Sequence, residues 1–170
     1  MNGEELLAQL SAQCDSFQEC FGSAAAHVRQ LTARLDEILP QLHKNTPVRD
    51  SAFSHDFNSF CADLRKRLDE MEAPWEAVRD QLRVVKDSQW SKKESLACKA
   101  CALRAKRLSA AQDDFAAAYQ AFLRSYKSFT AEKLNVFLLT SCQADSENVS
   151  GKILFLVRKI SQQIEKNGDN

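Results

Sequence analysis

Glycine and proline are scarce in this 170-residue chain, at four and three residues. So few turn formers exclude a many-stranded sheet, and four glycines leave little for a phosphate-cradling loop. Charge of one sign is missing as well: 23 basic side chains balance 23 acidic ones, whereas a nucleic-acid binder carries a basic surplus. No apolar run approaches the ~18 residues of a membrane span. The densest one, Ile153-Leu154-Phe155-Leu156-Val157, is closed off by Lys152 and Arg158. The start, Met1-Asn2-Gly3-Glu4-Glu5, has neither the basic nor the apolar region of a secretion signal. These absences predict a cytoplasmic or nuclear chain, not secreted and without a transmembrane segment. Its cysteines, Cys14, Cys20, Cys61, Cys98, Cys101 and Cys142, are then expected as free thiols, and the acceptor pattern Asn148-Val149-Ser150 stays unglycosylated.

What the chain does have is hydrophobic periodicity. Leu7, Leu10, Cys14, Phe17, Phe21, Ala24, Val28, Leu31, Leu35, Ile38 and Leu42 follow one another in steps of three and four. That is the 3.5-residue repeat of helices that wrap each other. Asn2 is placed to cap this helix, with Glu5 three residues on. Pro40, Asn45-Thr46 and Pro47 end it. A second stripe holds Phe57, Cys61, Leu64, Leu68, Met71, Trp75, Val78, Leu82 and Val85, widened by Phe53 and Phe60. Pro74 lies inside it, but the phase continues on both sides, which predicts a kink and not a boundary.

Ser91 and Glu94 have capping-box spacing for a third helix. Its stripe is aromatic: Cys101, Ala105, Leu108, Gln112, Phe115, Tyr119, Phe122, Tyr126, Phe129, Lys133 and Val136. The polar stretch from Gln143 to Gly151 reads as a loop, and Val149, Ile153, Leu156, Ile160 and Ile164 as a last helix. The expected fold is all-α: a single elongated domain over residues 1–170, a bundle or coiled coil of three long helices plus a shorter C-terminal one. Approximate helix bounds are 3–43, 51–88, 91–141 and 149–166. A forty-residue helix is about 60 Å long, against a radius of gyration of about 15.5 Å for a compact globule of this length. If the seams pair within the chain, an antiparallel rod follows.

Little in the sequence carries chemistry. His27, His43 and His55 sit in no motif with a nucleophile or carboxylate. No Glu is followed three residues later by His, as helical di-iron sites need. Cys98-Lys99-Ala100-Cys101 is a C-x-x-C, but zinc needs four converging ligands and no second pair exists. Cys14, Cys61 and Cys101 fall on apolar stripes, where a thiol behaves as a small hydrophobe. No enzyme activity, cofactor, metal or small-molecule substrate is expected.

Charge is more informative by segment. Residues 1–47 and 48–89 are net acidic at −3 and −2, residues 90–142 reach +5, and residues 143–170 balance. Outside the third seam, Lys92, Lys99 and Lys106 fall one heptad apart, with Lys93 and Arg107 beside them, and the strip stops at Asp113-Asp114. It is a solvated face or a docking stripe about 22 Å long. The aromatic residues that follow belong to the seam, so they are core and not base-stacking platforms, and nucleic acid is not an expected partner. The favoured function is a non-enzymatic interaction or scaffold subunit of a larger assembly (cytoskeletal, trafficking or chromosome-associated). Its partners would be other helical proteins, in a hetero-complex or homodimer, met by heptad helix pairing. The alternative is a BAR-like peripheral membrane-surface module. It resembles those banana-shaped dimers in architecture alone, and would bind anionic lipid through the basic helix face.

Overall fold

The computed structural model describes residues 3–42, 51–84, 90–127 and 134–168. Helix α1 runs Gly3–Leu42, α2 Ser51–Val84, α3 Lys92–Tyr126 and α4 Val136–Gly168, and no strand occurs among the described residues. The periodicity explains why. Every stripe residue of α1 from Leu7 to Ile38 is buried, and Leu6, Cys20 and Ala25 are buried beside them. The stripe is wider than a two-helix seam because α1 lies against both α3 and α2. In α2, Phe53, Phe57, Phe60, Cys61, Leu64, Leu68, Trp75 and Val78 are buried, with Met71 half-buried. Pro74 sits on the exposed side of α2, which continues through it. The side chains of Leu42 and Leu82, and all of Asn2, His43, Asn45, Thr46, Pro47, Val85, Phe129 and Lys133, lie outside the described residues.

Cross-helix contacts fix the directions. Arg34 pairs with Asp56 at 2.7 Å and the His27 ring stacks on Phe60 at 4.3 Å, so α1 and α2 are antiparallel. Arg104 reaches Asp15 at 3.4 Å and the Ser125 hydroxyl donates to Asp36 at 2.7 Å, so α1 and α3 run parallel. Cys98 meets Ser161 at 3.4 Å and Tyr119 bonds Thr140, which makes α3 and α4 antiparallel. An Arg65–Asp145 ion pair closes the ring between α2 and α4. The bundle order around the core is therefore α1, α3, α4, α2, and the Phe57 and Phe122 rings stack across its centre at 5.2 Å.

Two expectations need correction. The most extensive partner of α1 is α3, running parallel to it, so the bundle is not built from antiparallel neighbours alone. Two reversals of direction return α3 to the sense of α1, and its aromatic stripe offers the larger surface to bury. The first glycine of α1 is part of this docking: a side chain at Gly3 would collide with the Trp90 ring and the Glu94 carboxylate.

The second correction concerns the last two helices. The third helix does not run over 91–141; it closes at Tyr126, where the Lys127 N–H bonds the Leu123 carbonyl at 3.0 Å. Its heptad phase happens to continue through the connection into Val136, with no glycine or proline to mark the break. Asn135 then starts α4, its side-chain oxygen accepting the Leu138 N–H at 3.4 Å. The fourth helix is not a short 149–166 element but 33 residues long, and residues 143–151 are helix, not loop. Its seam is Leu139, Cys142, Ser146, Ser150, Ile153, Val157, Ile160 and Ile164, all buried. The two serines concealed it. Each hydroxyl donates within its own helix, Ser146 to the Gln143 carbonyl at 2.7 Å and Ser150 to the Glu147 carbonyl at 3.2 Å. So satisfied, a serine occupies a seam as a small residue would.

Candidate functional site

The geometry of α3 begins at its cap. Ser91 is extended (φ −76°, ψ 169°), its hydroxyl oxygen accepts the Glu94 N–H at 3.2 Å and contacts the Glu94 carboxylate at 3.2 Å. The helix therefore starts directly at Lys92, and its phase follows from there. Cys98, Cys101, Ala105, Leu108, Gln112, Phe115, Tyr119 and Phe122 are buried. At 100° per residue, Lys92, Lys99 and Lys106 fall on the opposite side in one row, with Lys93 and Arg107 on its flank. All five are exposed, and none makes an ion pair among the described residues. Arg104, in the same stretch, is different: it turns to Asp15 of α1. The five predicted stripe residues thus share one outer face of α3.

That face is not purely polar. Leu96 is 67% exposed and Leu103 52%. They are one heptad apart among the lysines, and the same spacing continues through exposed Ala110 and Ala117. Two large aliphatic side chains one heptad apart on a cationic face set this surface apart from a row of lysines alone; among the described residues the most exposed large apolar side chain, Phe137 at 81%, lies elsewhere, at the start of α4.

The fold then adds residues from α4. With Cys98 opposite Ser161 and Tyr119 opposite Thr140, residues 151–166 run beside residues 92–108. The first segment holds Lys152, Arg158, Lys159 and Lys166 against Glu165, net +3; the second holds six cations against Glu94, net +5. Arg158 lies one turn before Ser161, on the side of α4 that faces α3, and is exposed. Phe155 is 58% exposed, with the Lys159 ammonium 5.2 Å from the centre of its ring. Across the molecule the charge is reversed: residues 3–42 are net −4 and residues 51–84 net −2. Sequence averaging over 143–170 hid the α4 contribution, because Asp145 and Glu147 cancel the cations that follow Gly151. Splitting that segment at Gly151 exposes the signal.

The other candidates resolve into packing. His27 is stacked on Phe60, and His55 is exposed. The groove of about 600 Å³ between α1 and α2 is lined by charges of both signs, including the Arg34–Asp56 pair. All six cysteines are free and buried. Burial pushes the Cys20, Cys98 and Cys142 thiols up, and Cys61 up to about 12. The Cys14 thiol, hydrogen-bonded to Cys101 and buried, is held far above its ordinary range. These five thiols stay neutral at physiological pH, and a neutral thiol is a poor nucleophile and metal ligand; Cys101 is shifted the other way, downward, by the hydrogen bonds it accepts from Cys14 and Ser11, and it is buried. Among the described residues no group of three or more His, Cys, Asp or Glu is placed to hold a metal ion, and no helix is long and apolar enough to cross a membrane. Compared with known proteins, the chain matches no family, no curated protein and no solved structure.

Proposed function

We propose that this chain is a non-enzymatic helical interaction subunit of a larger protein assembly, and that it meets its partner through the outer face of α3. One observation carries this reading. The long seams are covered within the chain, whereas Leu96 and Leu103 stand exposed among five cations that make no ion pair among the described residues. Pairing through the inner seams would require the bundle to open. Docking on the outer face leaves the core intact. An elongated scaffold shape is supported by the helix lengths, 33 to 40 residues each, or about 50 to 60 Å at 1.5 Å per residue.

The test is affinity purification of the tagged chain beside its Lys92→Glu/Lys99→Glu/Lys106→Glu variant. The expected outcome is a stoichiometric complex that the variant loses while its helicity by circular dichroism stays the same. A variant that retains the complex returns the strip to a solvated face. The BAR-like membrane reading draws on the same cations, each contributing about 1 kcal/mol at most near an anionic bilayer. Sedimentation with anionic vesicles at low salt separates it from the protein-partner reading.

A further inference from the structure

We infer that Cys14 and Cys101 are an oxidisable dithiol, a modification site at which hydrogen peroxide converts two packed thiols into a disulfide that ties α1 to α3. The site lies in the core and stands apart from the docking face of α3. Parallel register brings the pair together. Arg104 meets Asp15 just beyond the two cysteines, and Ser125 meets Asp36 further along, so residues 14 and 101 pass at one level. Both cysteines occupy seam positions, both are fully buried, and their thiols are hydrogen-bonded to each other. Helices packed about 8–10 Å apart, with Cα atoms about 2.3 Å from each axis, bring facing Cα atoms within the roughly 4.4–6.8 Å that a disulfide spans. Ser11 and Ala105, buried one turn away on either helix, are small enough to let the backbones approach.

The two thiols are not equivalent. Cys101 accepts hydrogen bonds from the Cys14 thiol and the Ser11 hydroxyl, which favour its thiolate, as the Arg104 guanidinium does; burial and the Asp15 carboxylate oppose it. Cys14 donates and stays protonated. This is the division between an attacking thiolate and a resolving thiol. Cys61 of α2 and Cys142 of α4 also feel each other, but burial pushes both thiols up. Cys98 bonds Ser161 of α4 and not a residue of α1. In the reaction, the Cys101 thiolate attacks one peroxide oxygen: an S–O bond forms, the O–O bond breaks, and the leaving hydroxide takes a proton to become water. Cys14 then attacks the sulfur of the Cys101 sulfenic acid. The S–S bond forms, the S–O bond breaks, and hydroxide leaves with the Cys14 proton as water. Two thiols are thereby oxidised and one hydrogen peroxide is reduced to two waters. Because both sulfurs are closed off from solvent, the step proceeds through brief local opening of the seam. All of α2 lies between the bridged residues, so the bridge restricts the unfolded chain strongly and fastens the most extensive helix pair of the bundle.

The experiment treats the folded full chain with hydrogen peroxide, blocks the remaining thiols with N-ethylmaleimide in urea, and maps disulfides by mass spectrometry. Digestion with trypsin and a glutamate-specific protease cuts at Glu19, between Cys14 and Cys20, and at Lys99, between Cys98 and Cys101, so every pairing is distinguishable. The expected first product is a single Cys14–Cys101 bridge, removed by dithiothreitol, with a urea midpoint above that of the reduced chain. In Cys14→Ser, oxidation stops at a Cys101 sulfenic acid that dimedone captures; in Cys101→Ser, Cys14 stays a thiol; in Cys20→Ser, the bridge forms as in the parent. Circular dichroism checks that each variant is helical, and the mapping on the parent chain decides the pairing even where a variant does not fold. A first bridge at Cys98–Cys101 or Cys61–Cys142, dimedone captured elsewhere than Cys101 in folded Cys14→Ser, or no bridge at all overturns the inference. So does a bridge that forms only in urea, which would belong to the unfolded chain, or one that lowers the midpoint, which the native packing would not accommodate.

Discussion

Helices α1 and α4 bury seams of the same pitch but of different chemistry. From Leu7 to Ile38, α1 places only apolar or thiol side chains on its predicted stripe. From Leu139 to Ile164, α4 interrupts its seam with Ser146 and Ser150, which are buried as deeply as the leucines of α1. The difference lies in how a polar atom is satisfied. A hydroxyl three residues from a backbone carbonyl of its own helix needs no cross-helix partner, so burial costs it little. Seam position and seam hydrophobicity are therefore separate properties. A purely apolar stripe announces itself, while a seam with self-satisfied serines is visible only once its partners surround it.

The comparison breaks most sharply at large side chains. Phe21 of α1 is fully buried and stacked near Phe17 and Phe115 at 6.1 and 6.2 Å. Phe21→Ala should cost roughly 3–5 kcal/mol through lost burial and a cavity, and Ile153→Ala in α4 roughly 2–5 kcal/mol. Phe122→Ala belongs with the former, whereas Gln120→Ala on the exposed side of α3 should be almost neutral. Total stability for a domain is about 5–15 kcal/mol, so urea midpoints resolve these differences. A neutral Ile153→Ala would mean that α4 is only loosely held.

Alkaline pH probes a property that the two seams share. The folded chain keeps Cys20 of α1, Cys142 of α4 and Cys61 of α2 protonated above the ordinary thiol value of 9.0. The unfolded chain then releases protons first, so stability is full below about pH 8.5 and falls above it. The slope is about 1.4 kcal/mol per pH unit for each thiol ionised only when unfolded. Urea midpoints should be level from about pH 7 to 8 and decline by pH 10, less steeply in Cys61→Val. A flat profile to pH 10 would show that water reaches these thiols.

Ser146→Val asks whether the α4 seam is close-packed around its serine. The added methyl groups should cost about 1–3 kcal/mol by overpacking, while Ser146→Ala should change the urea midpoint little. A stabilised valine variant would show unfilled space at this level. The smallest effect lies on the outer surfaces, where each helix carries an exposed glycine with open space where a Cβ would stand: Gly22 in α1 and Gly151 in α4. Gly22→Ala and Gly151→Ala should each raise stability by about 0.5–1 kcal/mol, by restricting the unfolded chain. A loss at Gly151 alone would place a backbone close approach there.

The legible parts of the molecule were those where local pattern and burial coincide. The α1 and α2 stripes, the Ser91 cap and the inward course of Phe115, Tyr119 and Phe122 all follow from residue spacing, because one face of each helix must leave water. The α3–α4 connection was not legible. Apolar phase carried through it, and Asn135 is an inconspicuous cap among polar neighbours. In the candidate site, the cations of α3 stand one heptad apart and can be read directly. Arg158, Lys159 and Phe155 belong to the same surface only because of the α3–α4 register, which no spacing within either helix encodes.

Sequence alone determined the helical class and the inner faces of α1, α2 and α3, since the 3.5-residue period of apolar side chains admits only helices that bury one side. Tertiary structure decided who covers whom. The parallel docking of α1 on α3, the length of α4 and the meeting of two basic segments at one end of the bundle depend on residues far apart in the chain. A heptad seam specifies that a helix needs a partner. It does not specify which one; that choice is seen in the buried ring contacts Phe21–Phe115 and Phe57–Phe122, which join α1 and α2 to α3, with Cys98 against Ser161 setting α4 beside α3.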